Sequence, residues 1–214
     1  MVRGGHRQTG NVCGGKARLD LWDDFPFSVF PTFDPPVLHE ISPNLLAGLR
    51  RIKFFICDVD GVLTDATVIM GSGFEAKAFH IRDGLGLRLL QAEGLRVAWV
   101  SARPSLATTE RANDLKIDFI LQSSTPKVGV IEELLAQTGI GWPEVLYMGD
   151  DVVDLGAMKR AGVAVAPADA ILEVRAVAHY VCRLAGGHGA VREIADLLLR
   201  AQDKWEPLIA KFSE

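Results

Sequence analysis

The chain has 214 residues, 49% of them hydrophobic and 23% charged, with a net charge of −4. That length holds one domain, or one domain with an appendage, at an ordinary globular composition. The negative balance argues against a general nucleic-acid or membrane-surface binder, and no apolar run is long enough to cross a bilayer.

Residues 1–40 read as a flexible N-terminal extension. Met1–Asp20 is rich in glycine and basic residues, Leu21–Pro36 mixes aromatic residues with Asp and Pro, and neither has a helical or strand period. No apolar segment follows the basic start, so it does not read as a secretory signal. Cys13, Cys57 and Cys182 lack metal-ligand spacing and cannot all pair within the chain, which points to free thiols in a reducing, cytoplasmic compartment.

From Ser42 the chain becomes regular. Ser42-Pro43 opens a short helix to Arg51, with Ser as N-cap and Pro in the first turn. Ile52–Val59 is an apolar run of the kind buried on both faces in a parallel sheet. Thr67–Met70 and Ala76–Ile81 flank Gly71-Ser72-Gly73 as a β-hairpin. A helix follows over Leu85–Glu93, stopped by Gly94. Strands are then expected at Leu95–Ser101, Phe119–Leu121, Val145–Met148, Val163–Ala166 and Tyr180–Cys182. Helices are expected at Ser105–Leu115, Pro126–Thr138, Asp154–Ala161, Ile171–Val177 and Ala190–Ala201. The alternation predicts a three-layer α/β/α sandwich with a mostly parallel, Rossmann-like sheet, a hairpin insertion and no cap domain. Residues 41–205 form the expected domain and 206–214 a C-terminal tail.

The chemistry collects at the carboxyl ends of the strands, where open α/β sheets bind ligands. Asp58 and Asp60 close the first strand and are followed by Gly61. Ser101 closes the second, ahead of Ala102-Arg103. Lys127 opens the helix after the third, and Gly149-Asp150-Asp151-Val152-Val153-Asp154 follows the fourth. Each has a plain alternative alone: a turn residue, a solvated lysine, a helix cap. Together they bring carboxylates, a hydroxyl and one lysine into one crevice, a set suited to phosphoryl transfer with Mg²⁺.

On these residues the chain resembles the haloacid dehalogenase-like phosphatases, whose signature is a strand ending in Asp-x-Asp-Gly, then a Ser or Thr, a Lys, and Gly-Asp-Asp-x-x-Asp. The likeness spans about Arg51 to Ala201. It implies Asp58 as the nucleophile, Asp60 as general acid and then base, and Ser101 and Lys127 as partners of the phosphoryl oxygens. It implies Mg²⁺ held by Asp58, the main-chain carbonyl of Asp60, and Asp150, with Asp151 and Asp154 in support.

A finer resemblance rests on His80-Ile81-Arg82-Asp83-Gly84-Leu85-Gly86-Leu87-Arg88 and on Gly186-Gly187-His188-Gly189-Ala190-Val191-Arg192-Glu193. These look like the family of 3-deoxy-D-manno-octulosonate 8-phosphate (KDO 8-phosphate) phosphatases of lipopolysaccharide precursor synthesis. The resemblance implies that His80, Ile81, Arg82, Asp83, Gly84, Arg88, Arg103, Arg111 and Lys127 meet the substrate, with Asp60 facing it too. Arginine forks suit its carboxylate and its phosphate. Two residues depart from the family pattern: Ala66 and Ala102 stand where Gly is usual, and Ala does not favour positive φ.

With no cap to control water, the resemblance implies a homotetramer with shared active sites. Gly186–Glu193 is a candidate lid, its glycines giving it freedom. A phosphatase for a nine-carbon sugar acid (KDN or N-acylneuraminate 9-phosphate) is the nearest alternative. A signalling receiver domain would carry its acidic pair first, and here Asp150-Asp151 comes last. A catalytically idle domain fits poorly with intact acid, lysine and metal positions.

Overall fold

The computed structural model describes Met1 and residues 41–124 and 126–213; residues 2–40, and with them the expected extension, lie outside the described residues. Helix α1 (Pro43–Arg51) starts as its sequence dictates: Ser42 Oγ accepts the Leu45 N–H at 3.2 Å and Pro sits in the first turn. All four residues of strand β1 (Phe54–Cys57) are buried. The strand sends Phe55 and Cys57 into one core and Phe54 and Ile56 into the other, hence the unbroken apolar run.

The hairpin is β2 (Ile69–Gly71) and β3 (Phe74–Ala76), antiparallel, with Gly73 at φ 82° in its turn. It is shorter than expected, and its second strand comes earlier. Helix α2 (Ile81–Ala92) follows, then β4 (Arg96–Ser101), α3 (Leu106–Asp114), β5 (Phe119–Gln122), α4 (Lys127–Thr138), β6 (Val145–Met148), α5 (Leu155–Met158), β7 (Val163–Ala166), α6 (Leu172–Val177), β8 (Tyr180–Val181), α7 (Ala190–Ala201) and α8 (Trp205–Lys211).

Among the described residues the main sheet has six strands in the order β5-β4-β1-β6-β7-β8, all parallel. Helices α1, α2, α3, α7 and α8 pack on one face, and α4, α5 and α6 on the other. The three-layer sandwich, hairpin and absence of a cap between β1 and β4 agree with expectation. The chain runs outward from β1 through β4 to β5, then returns to β6 on the other side of β1. That reversal is the switch point where such sheets open a crevice. Cys57 is level with Met148, and the Asp58 N–H donates to the Met148 carbonyl at 3.0 Å. Asp58 and the Gly149-Asp150 turn therefore emerge side by side.

Besides the hairpin, α2 and the C-terminal residues differ from the sequence expectation. Helix α2 begins at Ile81, four residues early, because Asp83 acts in its first turn and is anchored from outside the helix (below). The residues read as a C-terminal tail contain α8. Trp205 and Leu208 are buried there, and the Arg192 and Arg200 guanidinium groups lie 5.6 and 4.7 Å from the Trp205 ring centre.

Candidate active site

The crevice is built on three loops. After β1, the Asp58 carboxylate is buried; its Oδ1 accepts the Val59 N–H at 2.7 Å and its Oδ2 lies 2.9 Å from Lys127 Nζ. Lys127 stands at the start of α4 and bonds Asp154 Oδ1 at 2.7 Å as well. Asp154 is fully buried and saturated. Its Oδ1 also accepts the Tyr147 hydroxyl at 2.6 Å, and its Oδ2 accepts the N–H groups of Asp150 and Asp151 at 3.1 and 3.3 Å. A side chain at position 149 would meet Asp154 Cβ and Cγ at 2.4 Å, so only glycine lets the turn close over that carboxylate.

Three carboxylates therefore crowd one ammonium. Ligand oxygens of Asp58, Asp150 and Asp154 lie within 4.8 Å of one another. Burial, then repulsion from Asp154, pushes the Asp58 carboxyl up to about 6 despite Lys127. Burial, then repulsion from Asp58 and Asp154, pushes Asp150 up to about 8. Burial alone would lower Lys127, but the two aspartates more than reverse it and hold it charged. Asp150 Oδ1 is buried without a hydrogen-bond partner. An orphaned carboxylate oxygen beside excess negative charge fits a hard divalent cation such as Mg²⁺. The donors free to hold it are Asp58 and Asp150, since Asp154 is spent on Lys127, Tyr147 and two amides. Asp151 is exposed and its Oδ1 accepts its neighbour's N–H, from Val152, at 2.6 Å. Gly61, at φ 87°, passes so close that a Cβ there would sit 2.0 Å from Asp150 Oδ2, bringing Asp150 against the Asp60-Gly61 backbone.

Asp60 lies apart from this cluster and is paired instead with Lys77, at 2.6 Å from Oδ1 and 2.9 Å from Oδ2. Ser101 is buried at the end of β4; its hydroxyl donates to the Arg103 carbonyl and accepts the Arg103 N–H, at 3.0 and 3.1 Å. Arg103 forms a very short ion pair with Glu75 of β3, whose other oxygen accepts the Ser105 hydroxyl at 2.6 Å. Lys77, Glu75 and Tyr147 escaped the sequence reading. The one available signal was the charged alternation Glu75-Ala76-Lys77, which puts both charges on one face of an extended segment.

The remaining expected substrate residues are spread more widely. Ile81 and Arg82 are exposed at the start of α2, and His80 is partly buried, with its ring near Gly189. Arg88 donates to the Leu115 carbonyl at 3.1 Å, and Arg111 pairs with Asp114 at 2.6 Å, while Arg111 Nε is buried without a partner. Asp83, also expected at the substrate, is held by the start of α7. Its side chain is buried, with one oxygen accepting the Arg192 N–H at 2.7 Å and the other the Gly189 N–H at 3.2 Å. It caps α7 from another helix, with one main-chain N–H on each oxygen. Gly84 likewise serves packing, because a Cβ there would meet the Arg111 guanidinium at 2.7 Å.

The segment Gly186–Glu193, expected as a lid, is tied down in this structure. Gly186 N–H bonds Asp169 at 2.9 Å and Gly187 N–H the Val62 carbonyl at 3.0 Å. Buried Glu193 accepts the Arg183 and Leu184 N–H groups and the Tyr180 hydroxyl. A Cβ on Gly186 would sit 1.9 Å from the Gly61 carbonyl oxygen. These glycines permit close approach to the loop after Asp58. Of the two departures from the family pattern, Ala66 does adopt φ 63°, and Ala102 is not among the residues with positive φ. The left-handed conformation of Ala66 costs about 1 kcal/mol relative to glycine.

A buried carboxylate paired with a lysine, a second carboxylate aimed separately and a divalent-cation cradle at the switch point define a phosphoryl-transfer hydrolase of the α/β class. Comparison with known proteins agrees. Residues 104–194 match the family profile of haloacid dehalogenase-like hydrolases. The 3-deoxy-D-manno-octulosonate 8-phosphate phosphatase of Yersinia pestis is 41% identical over 78% of this chain and 89% of its own. The Escherichia coli enzyme of the same name is 40% identical over 77% and 88%. The crystal structure of the Moraxella catarrhalis phosphatase, in complex with a magnesium ion, a phosphate ion and KDO, superposes with a TM-score of 0.77. It is 36% identical, and the match covers 80% of this chain and 99% of that one. The chain belongs to the haloacid dehalogenase-like hydrolases, in the family of the KDO 8-phosphate phosphatases.

Proposed function

We propose that this protein is a Mg²⁺-dependent phosphatase that hydrolyses KDO 8-phosphate to KDO and phosphate. The observation that carries the reading is the division of the two acids at the end of β1: Asp58 faces Lys127 and the cation cradle, while Asp60 is held apart by Lys77. In the first half-reaction an Asp58 oxygen attacks phosphorus, the bond to the ester oxygen breaks, and Asp60 protonates the departing alkoxide. In the second, Asp60 takes a proton from water as that water attacks the aspartyl-phosphate, releasing phosphate and restoring Asp58. Mg²⁺, when bound by Asp58, Asp150 and the main-chain carbonyl of Asp60, supplies positive charge that keeps the carboxylates ionised and offsets charge on the phosphoryl oxygens. Lys127, aimed by Asp154 and Tyr147, and Ser101 bind those oxygens. Asp151 lies beside the cradle. His80, Ile81, Arg82, Arg88, Arg103 and Arg111 are the candidates for the sugar-acid end.

Phosphate release from a panel of sugar-acid phosphates, with and without Mg²⁺, tests the reading. The eight-carbon KDO ester is expected to give the highest kcat/KM, and activity to vanish with the cation. A clear preference for a nine-carbon acid phosphate would replace the substrate assignment.

We further propose that the protein is a cytoplasmic homotetramer whose active sites are completed by neighbours. No helix among the described residues is long and apolar enough to cross a membrane, and Cys57 and Cys182 are free thiols. The hairpin leaves Ile69, Met70 and Phe74 largely exposed (56, 72 and 59%), an apolar tip that a second copy would cover. Light scattering should report four chains. A monomer of full activity would contradict the shared site.

A further inference from the structure

The Lys77 side chain is fully buried, on the short segment that leads from β3 to α2. Its ammonium donates to Asp60 Oδ2 at 2.9 Å and to Thr108 Oγ1 at 3.1 Å, and Asp60 Oδ1 lies 2.6 Å away in the ion pair without accepting a hydrogen bond. Asp60 is only two residues from Asp58, and a carboxylate swung toward the divalent-cation cradle would itself be a good ligand for the ion. If Asp60 bound through its side chain, it could not exchange a proton with the leaving group or with water. We infer that Lys77 is the positioning residue that holds the Asp60 carboxylate through Oδ2 and the ion pair, keeps it off the cation and reserves it for proton transfer. Two residues earlier and on the same face of the chain, Glu75 holds Arg103 and Ser105. The strand edge that carries the exposed hairpin thus sets the acid–base group and a candidate substrate arginine together. The role of Lys77 rests on the phosphatase reading above.

A substrate that needs no acid isolates it. p-Nitrophenolate departs with the electron pair of its phosphorus–oxygen bond and needs no proton, so aspartyl-phosphate forms from p-nitrophenyl phosphate without Asp60. Hydrolysis of that intermediate still requires a base to take the proton of water. Lys77→Met should therefore release about one nitrophenolate per site in a burst, then settle to a steady state slowed roughly 10²-fold. Mg²⁺ binding by calorimetry, without substrate, should be at least as tight as in the wild type. Thr108→Val, which removes one contact of the ammonium and leaves its charge, should slow the same steady-state phase by a smaller factor, and it carries the test if Lys77→Met fails to fold. Loss of burst and steady state together at an unchanged melting temperature, or steady-state turnover within threefold of wild type, would overturn the role of Lys77. A wild type inert toward every ester would overturn the phosphatase reading itself.

Discussion

Asp58→Asn is expected to lower kcat by roughly 10⁶-fold, the size of loss that follows removal of a covalent nucleophile. The amide cannot accept a phosphoryl group on a carboxylate oxygen, and no other described carboxylate is free beside Lys127: Asp154 is saturated, and Asp150 is the second cation donor. The loss should come with no loss of stability. The raised Asp58 carboxyl binds its proton more tightly in the folded chain than in the unfolded one. Its ionisation therefore costs stability as pH rises from 3.8 through about 6. Without Mg²⁺ at pH 8, Asp58→Asn should melt at or above the wild-type temperature, and steady-state kinetics beside a melting curve checks both parts. An inactive variant that is also unfolded would leave chemistry and folding unseparated, and the cation-free melting curve excludes that outcome directly.

Asp60→Asn is expected to cost about 10²–10⁴-fold in kcat for an alkyl phosphate, the usual worth of a general acid–base group. Its Mg²⁺ affinity, read by calorimetry, should stay within a few-fold of wild type if, as proposed, the ion takes the main-chain carbonyl at this position, because the side chain is paired with Lys77. A Mg²⁺ site destroyed by this substitution would mean that the Asp60 carboxylate is a ligand, and the division between the two acids would be wrong.

The strand ends were legible because a parallel strand buried on both faces has to be an unbroken apolar run, and Phe54–Cys57 is one. The positions of Asp58, Lys127, Asp150 and Asp154 then follow from the elements: just past β1, at the start of α4, two residues past β6 and just before α5. The hairpin partners were not legible. Lys77 meets Asp60 across 17 residues, and nothing local marks a lysine as buried. The anchoring of Asp83 was equally hidden: its partners, the amides of Gly189 and Arg192, lie more than 100 residues away at the start of α7. Helix α8 was missed because Trp205 is covered by arginines of α7, which no periodicity within residues 205–211 announces.

The glycines of the Gly186 loop carry a similar lesson. They read as freedom in sequence and act as clearance in the fold, where they press the loop against the Gly61–Asp65 turn that carries the nucleophile.

Rapid quenching during turnover, followed by borohydride reduction and peptide mapping, tests the central claim most directly. A phosphoryl group carried on Asp58, and therefore a reduced side chain at that position alone, is the result expected. Reduction at Asp60 or at Asp150, or an unmodified chain while the substrate is being consumed, would contradict it.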